Sequence, residues 1–371
     1  MLTSLAVPDG VSASVPIGFA TSIALLALCT FAALRPPIPR HSSRSNLWFW
    51  LGYLLNEQPF LGLALVALSA FPALTTGVGT PVWWLTVALT AAPACGLAAI
   101  AVRTRSARGV LEAALAAGPG IRMPHSRLPL LRILLLPLVS WRPGVRRIRD
   151  RRYGDARTQR LDVYVSRSRA HGAPILLYLH GGGFVMGSKL LGARPLLYRL
   201  ADHGWVCASA NYRLRTAYTD SLADVRQAIA WLREHAEELG ADPSRPVVAG
   251  GSAGAHLAAT IALTDDSIAG AIGLYGYYGP TAGSASGAPA TPHAHLHADA
   301  PPFLIVHGTL DTLVLTADAR HFADELAHAS GAPVAFAELP GTQHNFDFFH
   351  SLRFHAVADA VEAFAVWAAR R

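Results

Sequence analysis

Long uncharged apolar stretches in the first hundred residues constrain this chain more than any other feature of its sequence. Residues 17–34 and 81–102 contain no charged side chain, and residues 47–71 are strongly apolar except for a polar interruption at 56–58. A helix needs about 20 apolar residues to cross a bilayer. The sequence therefore predicts an all-α transmembrane region of about three helices within residues 1–108.

The interruption in the middle stretch consists of Asn56, Glu57 and Gln58. Aromatic residues on its amino-terminal side suit an interfacial belt. The apolar core of this span would then start near Phe60, and Glu57 would lie near the lipid headgroups. The alternative is that Glu57 is a buried acid with a function of its own.

Arginines are concentrated directly after the apolar stretches. Residues 103–169 contain 16 arginines and four acidic residues, a net charge of +12, whereas residues 170–371 contain 12 basic and 18 acidic residues, a net charge of −6. A basic run can bind nucleic acid, but this one adjoins apolar spans and has no base-reading motif, which argues against that partner. We therefore expect a basic collar on an anionic membrane surface.

The arginines also predict the membrane topology. Residues 1–16 and the link after the second span contain no Lys or Arg, whereas Arg35, Arg40 and Arg44 lie between the first and second spans, and more arginines follow the third. The positive-inside rule then places the amino terminus outside and everything after residue 102 in the cytoplasm. A cleaved signal peptide would have a basic start and a shorter apolar core. We predict a multi-pass protein of the cell membrane.

The segment 109–150 is basic and apolar and is predicted to be juxtamembrane. Within it, residues 128–141 are apolar with interspersed arginines, and are too short and too charged to span a bilayer comfortably. Two placements remain open for this part: it lies in the membrane interface, or it packs as a helix on the catalytic domain.

Residues 151–371 alternate between short apolar segments and amphipathic segments, and form the predicted catalytic domain. The predicted strands are 161–165, 175–179, 206–210, 247–249, 268–275, 303–306 and 334–338. The predicted helices are 222–239, 253–263, 317–329 and 356–369. This alternation predicts an α/β fold with a mainly parallel sheet and helices on both faces, in which ligands bind beyond the carboxyl ends of the strands.

A candidate nucleophile follows the strand 247–249. The sequence Gly250-Gly251-Ser252-Ala253-Gly254 joins this strand to a helical segment. A serine hydroxyl becomes a good nucleophile when a sharp strand-to-helix turn exposes it and holds it, and glycines are needed on both sides of that turn. The setting predicts Ser252 as a nucleophile, although Gly-x-Ser-x-Gly alone is a weak signal.

The sequence His180-Gly181-Gly182-Gly183 follows the strand 175–179 directly. Attack on an ester carbonyl places negative charge on its oxygen, and backbone N–H groups in a glycine-rich turn can approach and stabilise that charge. Together with the serine motif about 70 residues later, these glycines indicate an oxyanion hole.

Two further motifs supply an acid and a base after the last two strands. Asp311 ends the sequence His307–Asp311, and His344 lies in Gly341–Phe346. The chain order Ser252, Asp311, His344 is the order of α/β-hydrolase triads. His344 would accept the serine proton, and Asp311 would fix its tautomer and balance the imidazolium charge.

Residues 150–371 resemble the hormone-sensitive-lipase-like branch of the α/β-hydrolases, also called bacterial family IV esterases. The resemblance rests on the His180, Ser252, Asp311 and His344 motifs and on Asn211-Tyr212-Arg213. The whole layout, with apolar spans before the hydrolase, resembles membrane-anchored actinobacterial lipase/esterases. The resemblance implies an oxyanion hole made by the N–H groups of Gly181, Gly182 and Ala253, and no metal or organic cofactor.

The chain departs from this family at three places. Gly251 stands where Asp is frequent, Ala255-His256-Leu257 is closer to kynurenine formamidase-type relatives, and Leu214–Ala217 replaces a proline-rich stretch. These departures leave the preference for esters or amides and the shape of the pocket open.

Several other residues are candidates for weaker reasons. Phe184 beside the oxyanion glycines, and Tyr275 and Tyr278 after a strand, are candidates for the substrate pocket, with core packing as the alternative for the tyrosines. His293, His295 and His297 alternate as metal ligands can, but they lie in a Pro/Ala-rich loop without a cysteine, so no metal site is predicted.

These features predict a membrane-anchored serine carboxylesterase or lipase acting on hydrophobic carboxylic esters through an acyl-enzyme on Ser252. The alternative is an acyltransferase or a formamidase-like amidase that uses the same triad. A second open point is whether the spans deliver a membrane-borne ester or are an anchor alone for an enzyme with a soluble substrate. From charge alone, we expect the active face to point along the bilayer or away from it.

Overall fold

The computed structural model describes residue 15 and residues 17–36, 43–75, 78–168, 171–281 and 290–371. The amino-terminal segment and Arg40, which enter the topology prediction, lie outside these residues. The apolar region forms four helices: α1 (Ile17–Leu34), α2 (Ser43–Glu57), α3 (Pro59–Leu74) and α4 (Pro81–Thr104). Thr80 caps the start of α4 by accepting a hydrogen bond from the Trp83 amide (3.2 Å), and Pro81 suits the first helical position.

The predicted middle span is not one helix. Its two parts, Ser45–Glu57 and Pro59–Leu74, meet at an angle of 91°. Pro59 has no amide hydrogen to continue the helical ladder, and the polar residues before it make contacts outside the bundle. Among the described residues, two helices are therefore long and apolar enough to cross a membrane, or three if the bent pair is one span.

The carboxy-terminal part contains one sheet of eight strands in the order β1-β2-β4-β3-β5-β6-β7-β8. The strands are β1 (Val145–Arg152), β2 (Arg160–Ser166), β3 (Ile175–Leu179), β4 (Val206–Ala210), β5 (Val247–Gly251), β6 (Gly270–Leu274), β7 (Phe303–Gly308) and β8 (Val334–Leu339). β3 to β8 are parallel, whereas β1 and β2 are antiparallel to their neighbours. The predicted α/β-hydrolase fold class is confirmed.

Helices cover both faces of the sheet. The remaining helices are α5 (Ser106–Ala117), α6 (Leu130–Leu134), α7 (Arg194–Asp202), α8 (Tyr218–Glu234), α9 (Ala236–Leu239), α10 (Ala253–Ala262), α11 (Thr316–Ala329) and α12 (Leu352–Ala369). α5, α7 and α12 pack on one face, and α8, α10 and α11 pack on the other. In β3, Leu176 and Tyr178 belong to the first core and Leu177 to the second, as the alternation of side chains in a strand requires.

The predicted domain boundary at residue 151 falls inside a strand. β1 begins at Val145 and pairs with β2 at the edge of the sheet, although its sequence is mostly arginine. Backbone pairing at an edge does not need the apolar alternation by which strands are predicted. Part of the basic collar therefore belongs to the catalytic sheet, where Arg147 Nε donates to Asp162 (2.9 Å).

The predicted juxtamembrane segment is also shared with the catalytic domain. Leu111 and Leu115 of α5 are fully buried in the core that contains α12 and β8. Residues 128–141 contact the catalytic domain, which is one of the two placements left open by their sequence. His350 of the catalytic domain bonds to the carbonyl oxygens of Pro137 (2.8 Å) and Val139 (3.2 Å), yet most apolar side chains of this segment remain exposed.

Candidate active site

Ser252 lies in the turn between β5 and α10 with φ 53° and ψ −119°. A side chain at Gly250 would collide with the backbone of Gly254, and one at Gly254 would collide with the carbonyl oxygen of Leu179. The turn can therefore form only with glycine at both positions. Ser252 itself is partly exposed at the carboxyl edge of the parallel strands.

The glycine-rich turn after β3 lies beside this serine. An added Cβ at Gly181 would be 3.0 Å from the Cβ of Ser252, so the two turns are in direct contact. Gly182 has φ +121°, a conformation that favours glycine. Within the described part of the chain, the amides of Gly181 and Gly182 have no hydrogen-bond acceptor. Their N–H groups can therefore bind an oxyanion, as can that of Ala253, which begins α10.

His344 and Asp311 are brought together at the same edge. His344 Nδ1 is 2.6 Å from Asp311 Oδ2, and both side chains are buried. The other carboxylate oxygen of Asp311 accepts the amides of Leu313 and Val314, each at 2.9 Å. The pKa of Asp311 is lowered despite its burial, because His344 and His307 stabilise the carboxylate by charge and by hydrogen bonds. An ionised Asp311 can orient His344 with Nε2 directed away from it.

Ser252 and His344 are both next to Tyr275. The rings of Tyr275 and His344 are 4.6 Å apart, and a side chain at Gly251, the neighbour of Ser252, would collide with the Tyr275 hydroxyl. Among the described residues, no hydrogen bond joins Ser252 Oγ to His344 Nε2. Catalytic hydrogen bonds are often loose without substrate.

The three candidate pocket residues differ in exposure. Tyr275 and Tyr278 are each 1% exposed, and the Tyr278 ring stacks on the Phe322 ring with 4.3 Å between the centroids. Their burial favours core packing over substrate contact for both tyrosines. Phe184 is only partly buried and contacts the ring of His256 edge-on at 5.6 Å. Phe184 is therefore the best placed of the three to contact a substrate.

Asp347 is a residue of the site that was not recognised in the sequence. It is fully buried and accepts hydrogen bonds from the hydroxyls of Tyr275 and Tyr178, both at 2.7 Å, and from the Ala193 amide at 2.9 Å. Burial raises its pKa. Asp347 holds the ring on which His344 rests. The only available signal was an acid three residues after His344 in an otherwise apolar stretch.

The Asn211-Tyr212-Arg213 motif supports the glycine-rich turn after β3. Tyr212 stacks on His180 at 4.4 Å and donates its hydroxyl hydrogen to the His180 carbonyl at 2.7 Å. Burial lowers the pKa of His180 to about 4, so this histidine is neutral and structural. Asn211 accepts the Lys189 amide (2.6 Å), and Arg213 pairs with Asp224. The motif thus fixes the turn without touching Ser252.

Among the described residues, one group of side chains has the donor atoms and spacing of a metal site. It consists of His293, His321 and Glu325, whose donor atoms lie within 4.8 Å of one another. The group is formed by a 3₁₀ turn (Pro292–His295) and α11, with His321 exposed and His293 and Glu325 partly exposed. It includes only one of the three histidines considered in the sequence.

The chain is similar in sequence to a known family model and to individual esterases. The family model BD-FAE matches residues 161–279. The probable carboxylic ester hydrolase LipM of Mycobacterium tuberculosis is 33% identical over 94% of this chain and 92% of LipM. The esterase LipQ of the same organism is 33% identical over 55% of this chain and 58% of LipQ.

Solved structures match the catalytic domain. The apo form of esterase 2 of Thermogutta terrifontis has a TM-score of 0.52 and 26% identity, and covers 61% of this chain and 95% of the esterase. The propionate-bound form of the esterase from this species has a TM-score of 0.53 and 27% identity over 61% of this chain and 94% of the esterase. These structures share the hydrolase domain, whereas the resemblance to LipM extends over the apolar helices as well.

Proposed function

We propose which residues carry out catalysis in this enzyme. The chain belongs to the carboxylic ester hydrolases of the α/β-hydrolase fold, in the hormone-sensitive-lipase-like family. The chain is a serine hydrolase that acts on carboxylic ester bonds. In the proposal, Ser252 is the nucleophile, His344 the general base, and Asp311 the residue that orients His344. The observation that carries it is the 2.6 Å contact between His344 Nδ1 and Asp311 Oδ2 at the strand edge that also bears Ser252.

The proposed reaction has two steps. His344 Nε2 accepts the proton of Ser252 Oγ as this oxygen attacks the ester carbonyl, and the N–H groups of Gly181, Gly182 and Ala253 stabilise the resulting oxyanion. Collapse of the intermediate breaks the ester bond, and His344 gives its proton to the leaving alcohol. Water, activated by His344 in the same way, then releases the acid and restores Ser252.

We propose that the apolar helices anchor this enzyme with its hydrolase domain in the cytoplasm. The carboxyl ends of α1 and α4 meet the break between α2 and α3 beside Gly341. Arg103 donates to the carbonyl oxygens of Ala33 (3.1 Å) and Gly341 (3.2 Å), and Asn56 donates to the same two oxygens at 3.0 and 2.9 Å. Three crossings would have this arrangement if α3 is the membrane-embedded part of the bent pair and the hydrolase lies at their inner ends. The arginine pattern favours the cytoplasmic side.

The catalytic assignment is tested with the Ser252→Ala variant and a panel of p-nitrophenyl esters of graded acyl length. We expect the purified wild type to hydrolyse the esters and to be labelled by a fluorophosphonate probe, and the variant to do neither, because the acyl-enzyme cannot form. The folded state of the variant is checked by its thermal unfolding. Labelling of the variant at the wild-type rate would place the nucleophile elsewhere.

A further inference from the structure

One face of α2 contacts the loops that carry the proposed base and its orienting acid. The Phe49 ring meets the His344 ring edge-on at 6.4 Å, and the Tyr53 hydroxyl donates to the Asn345 carbonyl at 3.0 Å. The Ser45 carbonyl accepts a hydrogen bond from Thr312, the neighbour of Asp311, at 3.2 Å. Side chains spaced three or four residues apart share a helix face, so α2 lies along the active-site edge with this face against it.

The end of α2 is attached to both sides of the His344 loop. Asn56, Glu57 and Gln58 are at most 2% exposed. Asn56 bonds to the Gly341 carbonyl before His344, and Gln58 to the His350 carbonyl (2.9 Å) after it. Glu57 pairs with Arg353 and accepts the Ser351 hydroxyl hydrogen at 2.9 Å. We call these three residues the α2 clamp.

The buried polar contacts of the α2 clamp join α2 to the catalytic domain, and a helix that only anchored the chain in a membrane would not need them. A buried ion pair that loses one partner leaves an uncompensated buried charge, which is strongly destabilising. Polar side chains are also expensive within an apolar segment unless they are paired. Both side chains of the Glu57–Arg353 pair are completely inaccessible to solvent, and every residue of the α2 clamp bonds to the catalytic domain. The helices and the hydrolase therefore form one structure at the active-site edge.

The opposite face of α2 is apolar and exposed. Leu47, Trp50 and Leu54 are 56%, 70% and 40% exposed. The loop that follows the oxyanion glycines is also apolar on its surface, with Val185 and Met186 49% and 64% exposed. Exposed apolar side chains grouped around a polar site mark contact with a membrane or an apolar ligand. Apolar side chains are thus exposed both on the helix that contacts His344 and on the loop after the glycine-rich turn beside Ser252.

We propose that α2 is the membrane-facing wall of the active site, and that the enzyme takes esters dissolved in the lipid phase. With Leu47, Trp50 and Leu54 in the bilayer surface, α2 holds the edge bearing Ser252 and His344 against that surface. An ester with a long acyl chain then reaches Ser252 without passing through water. This replaces the expectation from charge alone that the active face points along the bilayer or away from it. The inference rests on the proposed function of Ser252.

The test compares two sets of serine substitutions in the full chain reconstituted into phosphatidylcholine–phosphatidylglycerol vesicles. The first set is Leu47→Ser, Trp50→Ser and Leu54→Ser in α2. The matched control is Leu65→Ser, Leu68→Ser and Phe71→Ser in α3, whose side chains are 38%, 73% and 67% exposed. Each preparation is assayed with p-nitrophenyl palmitate carried in the vesicles and with soluble p-nitrophenyl butyrate, per active site titrated with a fluorophosphonate.

We expect the α2 set to lower the turnover of the vesicle-borne ester about tenfold or more, because the loss of three apolar side chains weakens contact with the bilayer. Turnover of the soluble ester should stay within about twofold, since the contacts with His344 are kept. The control set should leave the ratio of the two rates unchanged. An unchanged ratio for the α2 set, or an equal change for the control, would overturn the inference. A wild type that hydrolyses neither ester and is not labelled would instead contradict the proposed function.

Discussion

The backbone of Ser252 is held in a conformation that residues other than glycine rarely adopt. Its φ of 53° and ψ of −119° cost about 1–3 kcal/mol, and such strain persists only where the surroundings over-determine it. Here the Ser252 amide donates to the Leu274 carbonyl (3.0 Å), and the Ser252 carbonyl accepts the Tyr277 amide (3.2 Å). The hydroxyl is therefore presented at the sheet edge by bonds to β6 and the residues that follow it.

Gly182→Ala should lower kcat about 10²–10³-fold with a much smaller change in KM, because the oxyanion donors act mainly in the transition state. An alanine Cβ at this position would collide with the Met186 carbonyl, so the turn must move away from its present geometry.

The matched control is Gly183→Ala, where φ is +60° and no atom lies within 4 Å of an added Cβ. Both variants place alanine at a positive φ, so Gly183→Ala shares this backbone strain without the collision, and its kcat should fall much less than that of Gly182→Ala. A rise in KM alone for Gly182→Ala would mean that the glycine-rich turn only binds substrate.

The bent pair α2–α3 is the element with the largest consequence for the site. Asn56, Glu57 and Gln58 at its polar break bond to residues that lie 285 to 297 positions away along the chain. α2 and α3 are nearly perpendicular, so α3 packs with α4 in the apolar bundle while α2 reaches the His344 loop. A straight span would have kept Phe49 and Tyr53 away from the catalytic domain.

Glu57→Gln should destabilise the enzyme by about 3–5 kcal/mol, because it leaves the buried Arg353 guanidinium without a compensating charge. The measurement is thermal unfolding of the full chain in detergent, together with kcat per titrated active site. The double variant Glu57→Gln/Arg353→Gln, which removes both charges, should recover part of the loss.

The control for this prediction is Glu112→Gln. Glu112 forms a partly exposed pair with Arg108 at 3.4 Å, and exposed pairs contribute about 0–1 kcal/mol. If Glu57→Gln lowered the unfolding temperature no more than Glu112→Gln does, the buried pair would not be what holds α2 on the hydrolase.

The molecule as a whole combines an apolar bundle, a basic collar and an acidic hydrolase domain. Arginines near an anionic leaflet contribute about 1 kcal/mol each before screening. Some collar arginines have partners inside the protein, since Arg147 pairs with Asp162 and Arg103 with backbone carbonyls. The expected contribution of the collar to the proposed membrane binding is therefore smaller than its net charge suggests.

The proposed topology predicts that the hydrolase domain is protected from protease added to intact spheroplasts and becomes sensitive when the membrane is permeabilised. Protection follows from a cytoplasmic location after the third span. A cytoplasmic marker protein monitors leakage. Loss of the hydrolase domain while this marker survives would reverse the orientation.

The residues of the proposed site were predictable because each belongs to a short motif next to a strand. Gly250–Gly254 specify a turn by themselves, since any other residue at its ends collides with the backbone. Ser252, Asp311 and His344 each follow a parallel strand, and the carboxyl ends of parallel strands meet at one edge. Apolar periodicity and local turn chemistry thus determined the fold class and the candidate triad.

The remaining features depend on contacts between distant parts of the chain. β1 is stabilised by backbone pairing with β2 and has no apolar pattern to reveal it. Asp347 acquires its role from Tyr178 in β3 and Tyr275 directly after β6, both distant from it in the sequence. The α2 clamp is a polar interruption in the sequence and becomes a docking site only when Arg353 and Gly341 are packed against it. Only the tertiary structure decides these points, because partners and burial, which determine what a polar side chain does, are not local properties.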